Sequence, residues 1–243
     1  MNSFDIIKNQ LEPQLKSINI TISEKQYSQI YKYYNMLVEW NKIMNLTAIT
    51  DEIEFANKHI YDSVLIYQRF NLNEVESVID IGTGAGLPGI PLKIIFPHLA
   101  MSLLDSLNKR INFLDEVCEE LELDKIELIH GRAEDFGKKE EYREDYDLCV
   151  SRAVSQLNIL SEYCLPFVKV GGNFIAYKSV DTDQEIENSK NAIQILGGEI
   201  EEITEIELIA DKVTRRFVNI KKISMTPNKY PRKAGKPQKE PLI

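Results

Sequence analysis

Cysteine, histidine and tryptophan are scarce in this chain of 243 residues, at three, three and one. Cys118, Cys149 and Cys164 are odd in number and far apart in sequence. That spacing excludes a disulfide framework and a zinc site built from paired ligands. They are expected to be reduced thiols packed as small apolar groups. His59, His98 and His130 are too scattered to suggest a metal centre, and no metal is expected. No apolar run approaches the roughly 18 residues that a membrane span needs. The first ten residues lack the basic segment and apolar run of a secretion signal, so a cytoplasmic location is expected. Internal repeats and low-complexity tracts are also missing.

The net charge of −9 would disfavour nucleic acid if it were evenly spread. It is not. Residues 213–243 hold nine Lys/Arg and one acid, a net +8, which leaves −17 for the preceding 212 residues. An acidic body with a basic C-terminal edge can dock locally on a phosphate backbone. Arg215, Arg216, Lys221, Lys222, Lys229, Arg232, Lys233, Lys236 and Lys239 are the candidate phosphate contacts. Such contacts supply affinity and register, not base specificity.

The length suits one α/β domain with a small helical addition. Ser23 to Asn45 reads as an amphipathic helix opened by a Ser23/Gln26 capping box. Tyr27, Ile30, Tyr31, Tyr34, Leu37, Val38 and Asn41 follow helical spacing, and core packing is the expected role of that stripe. A second helix is expected from Asp51, with Glu54 completing its cap, to about Arg69. Strands are then expected at Ser77–Ile81, Met101–Asp105, Lys125–His130, Tyr146–Ser151 and Asn173–Lys178. Helices at Ile90–Phe96, Lys109–Leu121 and Gln156–Val168 separate them. This alternation predicts a parallel sheet covered on both faces. Two late strands near Glu199–Leu208 and Arg215–Ile223 predict an antiparallel pair. The expected organisation is a helical region packed on the core at 1–70, an α/β domain at 71–223 and a basic tail lying over the surface at 224–243.

The sharpest local signal is Asp80-Ile81-Gly82-Thr83-Gly84-Ala85-Gly86-Leu87-Pro88-Gly89. It follows a predicted strand and opens a helix, the context in which a glycine motif carries meaning. Glycines permit a tight turn and a close approach of ligand to backbone. A dinucleotide site, an adenosylmethionine site and a plain strand-to-helix turn all fit a bare glycine run. Asp80 sits two residues before the first glycine, within reach of a cationic amino group or of the loop amides. The glycines run G-x-G-x-G. Asp105 ends the next strand, where a carboxylate can accept from both ribose hydroxyls. With the late antiparallel pair, these details favour S-adenosyl-L-methionine over a nicotinamide cofactor.

Further segments share an order and spacing with one family. They are Trp40-Asn41-Lys42 with Asn45-Leu46-Thr47, His59 with Asp62-Ser63, Asp80 to Pro91, Asp105 to Arg110, Gly131-Arg132-Ala133-Glu134, Ser151-Arg152-Ala153-Val154 and Tyr230 to Gly235. Over nearly its whole length the chain resembles the bacterial 16S rRNA guanine-N7 methyltransferases, the glucose-inhibited division protein B family. The resemblance implies a Rossmann-like methyltransferase fold with a mostly parallel seven-stranded sheet. It implies a cofactor loop at Gly82, Gly84, Gly86 and Leu87, with Asp80 beside it. Asp105, Ser106 and Leu107 would hold the ribose and adenine side, and Ala133 and Glu134 would flank the adenine. Arg152 would face the methyl-transfer cleft and serve as both the catalytic and a cofactor-side candidate. The implied partner is 16S rRNA or the small ribosomal subunit, methylated at guanosine 527. A monomer is expected. Three positions depart from the family pattern: Leu87 for a usual phenylalanine, Ser179 for a usual glycine and Lys58 for a common arginine.

The residues show no Ser/His/Asp arrangement and no activated cysteine signature. Guanine N7 carries a lone pair and no proton at neutral pH, so its methylation requires no general base. A small-molecule methyltransferase, a nicotinamide-dependent oxidoreductase and a non-catalytic ribosome-binding module are the competing readings, since a fold does not determine a substrate.

Overall fold

The computed structural model describes residues 2–152, 155–208 and 213–243. Ala153 and Val154 of the family-like segment, and the link 209–212 of the expected hairpin, lie outside the described residues.

Ile7, Leu11 and Leu15 recur every fourth residue and bury one face of α1 (Ser3–Ser17), which Asn2 caps. In α2 (Glu24–Asn41) the Ser23 side chain accepts from the Gln26 amide, and the Gln26 side chain returns to the Ser23 backbone. This is the reciprocal cap read from sequence. Tyr27, Ile30, Tyr33, Tyr34 and Leu37 are buried, so the aromatic stripe is core. The helix expected from Asp51 is instead a series of short pieces. They are α3 (Glu52–Phe55) under an Asp51 cap, a π turn at Ala56–Tyr61, α4 (Asp62–Val64) and a 3₁₀ turn at Leu65–Gln68.

The remaining strands and α-helices are β1 (Ser77–Ile81), α5 (Gly89–Ile95), β2 (Ala100–Asp105), α6 (Asn108–Glu120), β3 (Ile126–His130), α7 (Ala133–Phe136), β4 (Tyr146–Ser151), α8 (Leu157–Cys164), β5 (Val168–Ser179), α9 (Asp183–Ile195), β6 (Gly198–Leu208), β7 (Val213–Lys222) and α10 (Lys236–Lys239). The seven strands lie in the order β3-β2-β1-β4-β5-β7-β6. β1 to β5 are parallel, and β7 is antiparallel to both β5 and β6. The chain builds outward from β1 to β3 and then returns to lay β4 beside β1. That reversal opens a crevice at the carboxyl ends of β1 and β4, where open α/β sheets bind ligands.

Alternate strand residues feed two cores, as the period of two in a strand requires. Val78, Leu103, Leu148 and Val150 join α1, α2, α5 and α6 on one face. Ile79, Leu104, Cys149 and Phe174 join α8 and α9 on the other. The N-terminal helices therefore share one continuous core with the sheet. Gln26 also reaches across to donate to the Ile94 carbonyl at 2.8 Å, satisfying the end of α5.

β5 begins five residues before its expected start at Asn173, because Gly171-Gly172 lies inside the strand at a register shift opposite β4. A Cβ on Gly172 would stand 2.6 Å from the Asp147 carbonyl oxygen, so the close approach of β4 requires glycine there. Helices α7, α9 and α10 were not foreseen in the sequence.

Candidate active site

The loop after β1 carries Gly82, Gly84 and Gly86 at φ values of 72°, 62° and 93°, the left-handed region that other residues rarely adopt. Gly86 is also hemmed in: a Cβ there would meet Ile90 Cγ1 at 2.5 Å. At Gly84 the nearest atom to a Cβ would be the Gly82 carbonyl oxygen at 3.9 Å, so this side of the loop faces open space. Leu87 is buried and packs into the first core, which satisfies the position with a leucine.

Asp80 is wholly buried beneath this loop. Its Oδ2 accepts from Thr83 Oγ1 at 2.7 Å and from the Gly89 amide at 2.9 Å. Its Oδ1 has no hydrogen-bond partner among the described residues. Burial pushes its pKa up to about 7, against the pull of those two donors and of Arg152. Asp80 thus braces the turn with one oxygen and leaves the other for a ligand donor. A cationic amino group suits that oxygen in charge and in hydrogen bonding.

Asp105 stands at the end of the adjacent strand, buried, with Oδ2 accepting from the Gly84 amide and Oδ1 from the Leu107 amide, each at 2.9 Å. Arg110 Nη1 closes on Oδ2 at 3.1 Å. A ribose diol would take the place of Arg110, whose side chain is about one-third exposed. Ser106 is exposed, and Leu107 is 52% exposed, a free apolar side chain beside Asp105. Next in order, Ala133 and Glu134 are buried at the start of α7, just past the end of β3. The residues present therefore fit adenosylmethionine: an unsatisfied carboxylate oxygen, a loop open at Gly84, a buried acid at the end of β2 and an apolar flank.

Arg152 follows β4. Its Nη1 donates to Asp62 Oδ2 at 2.9 Å and to the Lys58 carbonyl at 3.0 Å. Arg215 Nε donates to Asp62 Oδ1 at 2.7 Å. One fully buried carboxylate thus holds two arginines drawn from β7 and from the end of β4. Arg152 and Arg215 front a cavity of about 550 Å³, with Tyr177, Lys178 and Glu185 among its lining. Lys178 is itself paired with Glu185 at 2.6 Å. Near this cluster His59 is buried with Nε2 2.8 Å from Thr47 Oγ1; burial, reinforced by Arg152, lowers its pKa to about 4, so the ring is neutral. Asp62 has no assigned role in the sequence reading. Only its place in the His59–Ser63 segment marked it.

The basic candidates separate into groups. Ser179 of β5 stands opposite Arg215 of β7, and Asn173 stands opposite Lys221. Arg215 and Arg216 therefore lie at the crevice end of the sheet, and Lys221 and Lys222 at the far end. Lys222 is a correction: it is buried, donating to the Leu165 carbonyl and Thr226 Oγ1 at 2.6 Å each, so it cannot reach a phosphate. Arg216 is bound to Glu205 and Asp183, Lys221 to Asn173, and Arg232 to Glu162. Lys229, Lys233, Lys236 and Lys239 are exposed. The tail is docked, not merely laid over the surface: Tyr230 enters the second core, and Asn158 donates to the Leu242 carbonyl at 2.8 Å.

The strand order, the glycine loop over Asp80 and the acid at the end of β2 define the fold of adenosylmethionine-dependent methyltransferases. The chain is similar in structure to M. jannaschii TYW2 in complex with AdoMet, with TM-score 0.51, 14% identity and coverage of 84% of this chain and 80% of that one. It is also similar to StiE O-MT, with TM-score 0.54, 13% identity and coverage of 69% and 75%. The family model described as rRNA small subunit methyltransferase G matches residues 26–214, and the chain belongs to that family. Ribosomal RNA small subunit methyltransferase G of Alkaliphilus oremlandii is 50% identical over 97% of this chain and 99% of that protein. The protein of the same name from Thermoanaerobacter sp. is 56% identical over 87% and 88%, and that from Clostridium tetani 46% identical over 100% of both.

Proposed function

We propose that the protein uses S-adenosyl-L-methionine to methylate N7 of one guanine in 16S ribosomal RNA, the family target guanosine 527. The observation that carries this reading is the cavity of about 550 Å³ at the crevice end of the sheet, fronted by Arg152 and Arg215 on their shared Asp62. Arg152, Arg215 and Lys178 set against Asp62 and Glu185 leave one positive charge, matched to a phosphodiester. Residues 71–223 are the methyltransferase domain in this reading, with 1–70 packed on it and 224–243 as the tail. The protein acts as a monomer in the cytoplasm; no helix among the described residues is long and apolar enough to cross a membrane.

Adenosylmethionine supplies, when bound, a methyl group already activated on a sulfonium. Asp80 Oδ1 takes its amino group, Asp105 its ribose, and Leu107, Ala133 and Glu134 its adenine. Arg152 orients the guanine or an adjoining phosphate, its rotamer held by Asp62 and the Lys58 carbonyl. With no proton to remove from N7, catalysis comes from placement, which supplies a large share of a barrier reduction when the reacting groups are held in register. N7 lies on the major-groove edge, closed to side chains in A-form RNA, so the guanine is presented from an opened region. Lys229, Lys233, Lys236 and Lys239 contact phosphates around it.

The test is methyl transfer from labelled adenosylmethionine to small-subunit rRNA and particles that lack the modification, mapped by chemical cleavage at N7-methylguanosine. Label at a single guanine is the expected result. No label, with cofactor binding demonstrated and substrate intact, refutes the assignment and favours a small-molecule acceptor or a non-catalytic role.

A further inference from the structure

The C-terminal segment 230–235 is fastened beside the cofactor crevice by three sets of contacts. Glu162, a fully buried acid of α8, accepts from the Arg232 amide at 2.8 Å and from Arg232 Nη2 at 2.6 Å and Nε at 2.9 Å. Arg143 donates to the Gly137 carbonyl at the end of α7 at 2.8 Å, and to the carbonyls of Tyr230 at 2.9 Å and Thr226 at 2.6 Å. The Gly235 amide, presented at φ 78°, donates to Glu134 Oε1 at 2.9 Å. Among the described residues the Gly235 amide is the one hydrogen-bond donor to the Glu134 carboxylate; Glu134 as a residue is 7% exposed, and its Oε2 keeps some contact with solvent.

The placement of Glu134 says which ligand group its Oε2 meets. Sheet order runs β1, β2, β3 away from the switch point. The loop after β1 sits over the orphaned Asp80 oxygen, and β2 ends at the ribose acid Asp105. β3 is paired beside it with His130 opposite Asp105, and the Gly131 amide donates to the Asp105 carbonyl at 3.0 Å. A nucleoside whose ribose rests on Asp105 and whose cationic chain points to Asp80 must send its base past the end of β3, to Glu134. Adenine offers an exocyclic amino donor there; a 6-oxo purine offers an acceptor, which a carboxylate repels.

We propose that the tail segment is a positioning part of the cofactor site: by holding Glu134 Oε1 on the Gly235 amide, it keeps Oε2 turned to the adenine amino group, so tail docking and cofactor binding are coupled. This rests on the adenosylmethionine reading above. A carboxylate fixed by one protein donor has less rotamer freedom to lose when it binds a second. By linkage, a tail that strengthens cofactor binding is itself strengthened by the cofactor to the same degree.

Calorimetric titration of S-adenosylhomocysteine and of S-inosylhomocysteine into the native chain and the double variant Glu162→Met/Arg232→Met tests this. The paired replacement strands no buried charge. The expected result is a loss of about tenfold in affinity for the adenosyl ligand, the scale of one hydrogen bond to a charged group. The inosyl ligand is expected to change by less than about twofold, and the adenosyl loss to vanish when Glu134→Ala is combined with the double variant. Unchanged adenosyl affinity in a folded variant, or equal losses for both ligands, overturns the proposal. Hydrogen exchange on the native chain decides independently if the variant does not fold. Amides of residues 230–236 are expected to slow on adding S-adenosylhomocysteine, and unchanged exchange overturns the coupling. A native chain that binds no S-adenosylhomocysteine at all overturns the cofactor reading itself, a result distinct from a native chain that binds it with an uncoupled tail.

Discussion

Tyr33 donates its phenolic hydroxyl to the backbone carbonyl of Ala85 at 2.6 Å. A side chain from the middle of α2 thereby holds the glycine loop that follows β1. Complete burial raises the phenol well above its ordinary pKa, so it stays a protonated donor at any working pH. The helical region before residue 70 is thus part of the glycine loop's support. Tyr33→Phe leaves a buried carbonyl unpaired and should cost about 1–2 kcal/mol of stability. It should also weaken S-adenosylhomocysteine binding by roughly threefold to tenfold. Thermal melts with and without ligand check both; an unchanged ligand-induced shift would show that the loop needs no such support.

Asp62 accepts from both arginines of the cleft and so sets their placement. Asp62→Asn keeps the shape and removes the charge that gathers Arg152 and Arg215. Methyl transfer to RNA should fall by about a hundredfold in kcat/KM, in line with the cost of misplaced reacting groups. Affinity for S-adenosylhomocysteine should stay within about twofold. Single-turnover kinetics alongside calorimetry separate the two effects. A matching loss in both would place Asp62 in general scaffolding.

Asp80 gives a pH dependence whose sign is fixed. Its folded-state value of about 7, raised by burial, lies above the roughly 3.9 of an unfolded aspartate. Between those values the folded chain binds more protons than the unfolded one, so this group's contribution to stability falls as pH rises from about 4 to 7. An ammonium group beside Oδ1 favours the ionised form, so ligand binding should expel a proton near pH 6 and none near pH 8.5. Affinity for S-adenosylhomocysteine should therefore rise across that interval and then level off. Titrations in buffers of different ionisation enthalpy measure the proton directly, and Asp80→Asn should abolish the dependence.

Lys222 and the exposed tail lysines should separate by salt dependence. Lys233→Ala or Lys236→Ala should each reduce the slope of log affinity for RNA against log salt by roughly 0.7–0.9, the amount for one phosphate contact. Lys222→Met should leave that slope unchanged. Burial sets Lys222 at about 8 in the folded chain, below the roughly 10.4 of an unfolded lysine. The folded chain then holds fewer protons, and the group's contribution to stability rises as pH goes from about 8 to 10.4. Lys222→Met should flatten that rise, measured by denaturant titration.

Much of the fold is legible in sequence because it rests on local rules. The Ser23/Gln26 cap, the apolar strands that end in Asp80 and Asp105, and the antiparallel late pair each follow from residues close together in the chain. The short helices α7 and α10 escaped because four residues carry no periodicity to read. The π turn at Ala56–Tyr61 escaped because its pattern differs from an α-helix by a single residue of hydrogen-bond register.

The basic tail shows the same limit from the electrostatic side. Nine cations read alike in a charge count. Folding sends Lys222 into the core, pairs Arg232 with Glu162 and leaves Lys233 in solvent. Charge is a property of a residue; availability is a property of its surroundings. The sequence by itself determined the class of fold, the glycine loop and the two acids that flank it, because spacing along a strand–turn–helix unit sets those positions. Only the tertiary structure decided that Asp62 gathers Arg152 and Arg215, residues 90 and 153 positions away, and that Gly235 reaches Glu134, 101 positions away. Contacts across such separations come from sheet order and chain return, which no local pattern encodes.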